Sequence, residues 1–552
     1  MDSKKSHKCC AVCRKSRNLK ICSSCEEVSY CSPEHQKQHW KIHKSNCKAY
    51  KISSNEKFSN FVEASRDIRA GTVIFTENPL VIGPDWSYDL FTTNSTFNCV
   101  GCFEPIRMLT HRCPSCKWPC CKHDCIGLNN PKLHDIECSF LKSGLGIQCD
   151  SDYSAIRDYF RTDVLFAMKC LLLQIRHPKK FEQLIQLEGH VEDRKDTMNF
   201  VESSKQIDYL EKNFLKPTKD DAEKLDKLSL PLKDRETLKR IYGIIESNAV
   251  YLTANNEVAG LYAIGCTVEH SCVPNCHFLF DKRNGFKLTV RAARDIKKGE
   301  HIATCYSNIL SGTQMRQQQL RNMKYITCSC IRCSDSIELG SNLSSLKCIG
   351  MDGIACDGIQ VPIKPLNGES SEWACDKCPA RVNGNEIADL MVKMSDEIDH
   401  TIEKEATVPA IETLMDKLSM FLHQNHYHMF TLKHTLIQLY GNHRDYPIET
   451  IDEKHLMRKL RFCDDLLQIV MLLDPYTIRL SIYTAVILYE KFNAIVEMHR
   501  RQLNYIPQTI MDAIKCLERA EIILINELDT MHGKQLNRKI CEALGQFRNM
   551  KI

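Results

Sequence analysis

The chain has 552 residues, 43% of them hydrophobic, and carries a formal net charge of +5. That is enough apolar material for ordinary cores, so its 31 cysteines are not needed as the disulfide staples of a small secreted scaffold. The opening MDSKKSHKCC lacks the apolar stretch of a secretion signal, and no run of about 18 apolar residues offers a membrane span. The expectation is a chain in the reducing cytoplasm or nucleus, with no membrane contact and with thiolates held by metal.

The first 50 residues hold Cys10-x2-Cys13, Cys22-x2-Cys25, Cys31-x3-His35 and His43-x3-Cys47. Sulfur and imidazole donors in this number suit a pair of tetrahedral zinc ions. So short and polar a segment cannot bury enough apolar surface to fold alone, and metal binding would supply its folding free energy. Residues 1–50 have a net charge of +7 and the remainder −2. A basic patch of this kind could meet an acidic partner or nucleic acid, but it is equally a solvated face around zinc loops. No base-reading helix is evident, so direct nucleic-acid binding is not expected.

Residues 61–84, FVEASRDIRAGTVIFTENPLVIGP, read as strand, turn at Ala70-Gly71, and strand. The zinc grammar then returns as Cys99-x2-Cys102, Cys113-x2-Cys116, Cys121-x3-Cys125 and His134-x3-Cys138, an internal repeat of the first module. Interleaved ligation would place first and third pairs on one ion, second and fourth on the other. The sets are Cys10, Cys13, Cys31 and His35; Cys22, Cys25, His43 and Cys47; Cys99, Cys102, Cys121 and Cys125; and Cys113, Cys116, His134 and Cys138. Such sets leave no position open for water, which points to structural rather than catalytic zinc.

Residues 151–245, with DVLFAMKCLLLQIRH and FEQLIQLEGHVEDRKDTMNFVES, read as a helical insert. GLYAIGCTVEHSCVPN at 260–275 is too irregular for a helix, and a hairpin turning at Asn284-Gly285 follows it. RAARDIKKGEHIATCY at 291–306 repeats the Arg-Asp-Ile-x-x-Gly construction of residues 66–71. Cys328-x-Cys330-x2-Cys333 offers three ligands where zinc wants a fourth, and Cys348, Cys356, Cys375 and Cys378 could hold one more ion as a small ribbon.

The C-terminal third shows apolar residues at helical spacing: Ile411, Leu414, Leu418, Phe421; Leu432, Leu436, Leu439, Tyr440; Phe462, Leu466, Ile469, Leu473; Ala513, Leu517, Ala520, Leu524. Pro409, Pro475 and Pro507 are read as loop residues between these helices. The histidines of FLHQNHYHMFTLKH lack cysteine or acid at fixed spacing and read as core or surface residues, not ligands.

The stretch YCSPEHQKQHWKIHKSNC resembles a MYND zinc finger, with His35 where that family usually has cysteine. With the strand segments above and EHSC at 269–272, the whole chain resembles the SET-and-MYND (SMYD) family, and its arthropod-type SmydA branch. The resemblance implies a multidomain α+β protein. A MYND finger at 8–47 would precede the first part of a split SET domain at 51–98, a second MYND-like module at 99–138 and a helical insert at 139–250. The SET core at 251–311, a post-SET cysteine flap at 312–340, a ribbon-like segment at 341–384 and a tetratricopeptide-like helical domain at 385–552 would follow.

The implied activity is methyl transfer from S-adenosylmethionine to a lysine amine of a histone or another protein, in transcriptional repression. Tyr306 would be the active-site tyrosine, Cys272 the fourth ligand of the flap zinc, and Asn60, Glu269, His270 and Ile326 the cofactor contacts. Three positions depart from the family pattern. Its glycine turn is replaced by Ser59-Asn60-Phe61, its Asn before His-Ser-Cys by Glu269, and its adenine-stacking aromatic by Ile326. An ionised Glu accepts hydrogen bonds only, whereas an Asn amide also donates. The competing implication is an inactive SET scaffold whose MYND modules recruit Pro-containing peptides of corepressors.

Overall fold

The structure, a computed structural model, describes residues 9–22, 28–55, 60–84, 97–106, 110–130, 133–134, 136–142, 162–215, 231–252, 258–405, 407–503, 508–527 and 531–549. Two compact units emerge. One comprises Met1–Glu269, Phe278–His301 and Met323–Tyr325; the other comprises His270–His277, Ile302–Asn322 and Ile326–Ile552.

In the first unit, strands distant in sequence pair antiparallel. Val73–Glu77 lies beside Lys287–Ala292, and Val258–Leu261 lies between Val81–Pro84 and Val250–Tyr251. Gly260 and Leu261, read from sequence as irregular, therefore belong to a strand. That strand is buried along its whole length, so it has no polar alternation to betray it. Gly83 has no room for a Cβ, which would lie 2.6 Å from the Phe166 ring. Its absence lets the helix Leu165–Arg176 press against the strand Val81–Pro84.

The repeated Arg-Asp-Ile-x-x-Gly segments face each other. Ile68 and Ile296 exchange both backbone hydrogen bonds at 2.8 Å. Asp67 accepts from the Lys298 amide at 2.9 Å and Asp295 from the Ala70 amide at 2.8 Å. Each turn closes on a glycine with φ +80°, Gly71 and Gly299. A composition repeat in the sequence is thus a local two-fold in space.

The helical insert runs through Leu165–Arg176, Pro178–Ile185, Met198–Leu210 and Arg235–Asn248. Residues 165–174 of the first are all buried, which makes it the central helix of this core. The apolar stretch from Phe181 is broken by turns between Ile185 and Met198, so it forms two helices.

The second unit contains a four-stranded antiparallel ribbon of Leu346–Lys347, Ile359–Pro362, Trp373–Cys375 and Arg381–Val382. Helices Gly384–His400, Val408–Leu418, Tyr427–Asn442, Glu453–Leu473, Ser481–Arg500, Ile510–Ile523 and Met531–Asn549 follow it. The spaced apolar residues form one core, except Phe421, which lies past the end of its helix and is 41% exposed. Pro409 is not a loop residue; it occupies the first turn of Val408–Leu418, where its missing N–H has no helical partner to lose. Pro507 lies outside the described residues.

Candidate functional site: cysteine clusters and a tyrosine

Cys10, Cys13, Cys31 and His35 bring their ligand atoms within 4.8 Å of one another, as do Cys99, Cys102, Cys121 and Cys125, and Cys113, Cys116, His134 and Cys138. Observed separations include 3.4 Å for Cys13–Cys31 and 3.7 Å for both Cys99–Cys125 and Cys102–Cys121. A tetrahedron with Zn–S of about 2.3 Å has edges of about 3.8 Å, so these sets fit zinc. Cys22 and Cys47 lie 3.6 Å apart and His43 is buried, while Cys25 lies outside the described residues.

The local fold explains the sets. After Cys13, Cys102 and Cys116 the next residue takes a left-handed φ, +61° at Arg14, +66° at Phe103 and +65° at Lys117. Each then donates its N–H to the carbonyl of the first cysteine, at 2.9, 2.8 and 3.0 Å. That turn aims both sulfurs of a pair at one point. The helix Pro33–Cys47, capped by Ser32, carries His35 of the first set together with His43 and Cys47.

In the second unit Cys272, Cys328, Cys330 and Cys333 form a further set, and Cys348, Cys356, Cys375 and Cys378 another. Cys272 and Cys333 are fully buried, with sulfurs 3.5 Å apart. All described cysteines are free of disulfides.

Tyr306 belongs to the neighbourhood of the Cys272 set. It packs with Ile326 and Cys330 against buried Cys272, Leu320, Cys328 and Cys333. Its backbone N–H donates to Nδ1 of His270 at 2.9 Å, and the two rings lie 5.7 Å apart. Nδ1 accepts, so the imidazole proton is on Nε2, which lies 3.3 Å from the Cys272 sulfur. The Ser271 amide donates to Thr304 at 2.8 Å, and Asn275 exchanges bonds with Ala303 at 3.0 and 2.9 Å. Residues 270–275 are therefore held against the strand leading to Tyr306.

A model of the MYND finger matches residues 10–47, and a model of the SET domain matches residues 148–307. The Drosophila melanogaster SET domain-containing protein SmydA-8, isoform A, is 25% identical over 333 residues, covering 59% of this chain and 64% of that protein. The chain carries the two domains that mark the SET-and-MYND family. Within it, the likeness is to a SmydA-type branch. The mouse histone-lysine N-methyltransferase SMYD3 is 28% identical over 197 residues, covering 32% of this chain and 44% of that protein. The Arabidopsis thaliana histone-lysine N-methyltransferase ASHR1 is 22% identical over 393 residues, covering 67% and 72%. The match thus spans less than two thirds of the fly relative's length.

The other residues suggested by likeness to this SET-and-MYND family are placed as follows. Asn60 is exposed in a bend before the strand Phe61–Ala64, and Ser59 lies outside the described residues. The Glu269 carboxylate sits 2.8 Å from Nδ1 of His301, whose ring stacks on Phe61 at 4.3 Å. Ile326 turns an aliphatic face toward the Tyr306 group. The adjacent Tyr325 instead donates its hydroxyl to Glu246 at 2.6 Å, and burial, together with that carboxylate, pushes its phenol up to about 12.

Sequence reading missed two buried charged groups. Glu77 accepts from the amides of Ile264 and Gly265, at 3.0 and 2.8 Å, and burial raises its carboxyl above the usual range. Arg316 and Arg332 share the carboxylate of Glu338, and all three side chains are at most 1% exposed. Burial opposes the charge on Arg316, but Glu338 and the sulfurs of Cys272 and Cys333 outweigh it and hold the guanidinium protonated. The available signal was the helix Thr313–Lys324, TQMRQQQLRNMK, which is mostly polar yet lies just before a cysteine cluster.

Proposed function

We propose that this chain is an S-adenosylmethionine-dependent protein-lysine N-methyltransferase acting on histone or other protein lysines, in the nucleus, the cytoplasm or both. The observation that carries this reading is the fixed Tyr306, held through its amide by His270 of the Glu-His-Ser-Cys segment and packed beside the flap cysteines. The names of the SMYD3 and ASHR1 relatives support the same class.

Bound S-adenosylmethionine supplies an electrophilic methyl group on a sulfonium. The lysine ammonium must first lose a proton to solvent, because only the neutral amine has a lone pair to form the new N–C bond as the S–C bond breaks. Tyr306 then acts by position and by its phenol dipole, with no covalent chemistry of its own. The protein residues fit this cofactor in part. The bonds that hold residues 271–275 to Ala303 and Thr304 support the reading, whereas Glu269 is engaged by His301 and Ile326 cannot stack as an aromatic ring does. Weak cofactor binding is the expected result. Calorimetric titration of the zinc-loaded chain with S-adenosylmethionine and S-adenosylhomocysteine tests it. No heat at millimolar cofactor would retire the enzyme.

A second reading is favoured by the Glu269–His301 contact itself. A carboxylate paired within the protein is no cofactor contact, and the SET fold would then be a scaffold whose two zinc modules recruit corepressor peptides. Pull-down with Pro-containing peptides, repeated with Cys10 and Cys99 substituted in turn, addresses that reading.

A further inference from the structure

Four thiolates around one divalent ion leave about two negative charges, and burial makes such a charge costly unless a counter-ion is present. The Cys272 set has one. Arg316, with 0% of its side chain exposed, points Nε at the Cys272 sulfur, 3.2 Å away, and Nη2 at the Cys333 sulfur, 3.5 Å away. Its remaining edge reaches Glu338 at 2.6 Å. Arg332 takes that same carboxylate at 2.8 Å, so two guanidiniums share a single acid and the surplus positive charge faces the sulfurs. Cys272 has a second donor in Nε2 of His270, whose other nitrogen accepts the Tyr306 amide.

We propose that Arg316 is the counter-ion of the metal held by Cys272, Cys328, Cys330 and Cys333, and that His270 is its second donor and ties that metal to the backbone of Tyr306. Both roles require a metal in this set, and neither depends on methyl transfer. An arginine suits the position because its planar fork reaches two sulfurs and a carboxylate at once, which a lysine ammonium cannot do from one nitrogen. Partners of metal ligands typically change metal affinity by 10- to 100-fold when removed.

The test uses the full zinc-loaded chain, a competing chelator and pulses of N-ethylmaleimide, with mass spectrometry following each cysteine separately. In Arg316→Lys, labelling of Cys272, Cys328, Cys330 and Cys333 is expected to quicken about tenfold or more. Labelling of Cys348, Cys356, Cys375 and Cys378 stays as it was, which reports that the chain at large has not loosened. In His270→Leu the same four cysteines quicken, and hydrogen exchange at the Tyr306 amide rises about fivefold. Arg316→Lys leaves that amide unchanged. Three results overturn the assignment: unchanged labelling of the four cysteines in Arg316→Lys, a rise shared equally by the ribbon cysteines, or immediate labelling of the four in the unaltered chain. Unaltered exchange at Tyr306 in His270→Leu overturns the tie to that residue.

Discussion

Nδ1 of His270 lies 2.9 Å from the backbone nitrogen of Tyr306 and accepts its hydrogen. The bond holds the main chain at Tyr306 rather than its hydroxyl, so changing the phenol leaves the anchor intact. Tyr306→Phe is therefore expected to fold and to keep its metals. Transfer of labelled methyl groups to histones should fall by about a hundredfold or more, the usual cost of one lost donor in an active site. An unchanged rate in that assay would remove Tyr306 from the chemistry.

The Glu269–His301 contact makes a prediction in the opposite direction. Glu269→Asn restores an amide that can both donate and accept, and Ile326→Phe restores a ring. Each is expected to raise affinity for S-adenosylmethionine by about tenfold, read calorimetrically. A double variant with no gain in affinity would favour the scaffold.

The facing turns at Gly71 and Gly299 should behave alike. Both have φ +80°, and a Cβ at either would meet nothing within 4 Å, so only the backbone conformation resists substitution. Gly71→Ala and Gly299→Ala should each cost about 1 kcal/mol in denaturant unfolding. A cost at one turn without the other would show that their shared geometry does not set the energy.

In the helical unit, buried His426 caps the helix Tyr427–Asn442 by accepting the His428 amide on Nδ1 at 3.2 Å, which demands a neutral ring. Burial, with neighbouring His428 and His423, holds its basicity well below the ordinary value, and burial takes His428 down to about 4. Because the folded rings resist protonation and the unfolded ones do not, their stabilising contribution is complete above pH ~6.5. It is lost as pH falls below that, at up to about 1.4 kcal/mol per unit for each histidine. His426→Asn keeps a capping oxygen without the titration. Thermal melts from pH 7.5 to 5 should show a lower starting stability and a shallower decline than in the unaltered chain. An equally steep decline would exclude His426 as its source.

Cysteine and histidine spacing in the sequence anticipated the clusters that begin at Cys10, Cys99, Cys113 and Cys348, because the reach of a short chain segment dictates which donors can meet one ion, whereas Cys272 came from the family resemblance. The helical core was legible for the same kind of reason. Residues at 3.6-residue spacing share a face, and apart from Phe421 the spaced residues of the C-terminal helices pack together. The repeated Arg-Asp-Ile-x-x-Gly segments were visible too, but not their mutual embrace. Fully buried strands such as Val258–Leu261 escaped because both faces are apolar. What only the tertiary structure decided was pairing between polar groups far apart in sequence: His301 with Glu269, His270 with Tyr306, and Arg316 with Cys272 and Glu338. Such pairs leave no periodicity in a sequence, since each is set by where separate segments meet and by the cost of burying a charge alone.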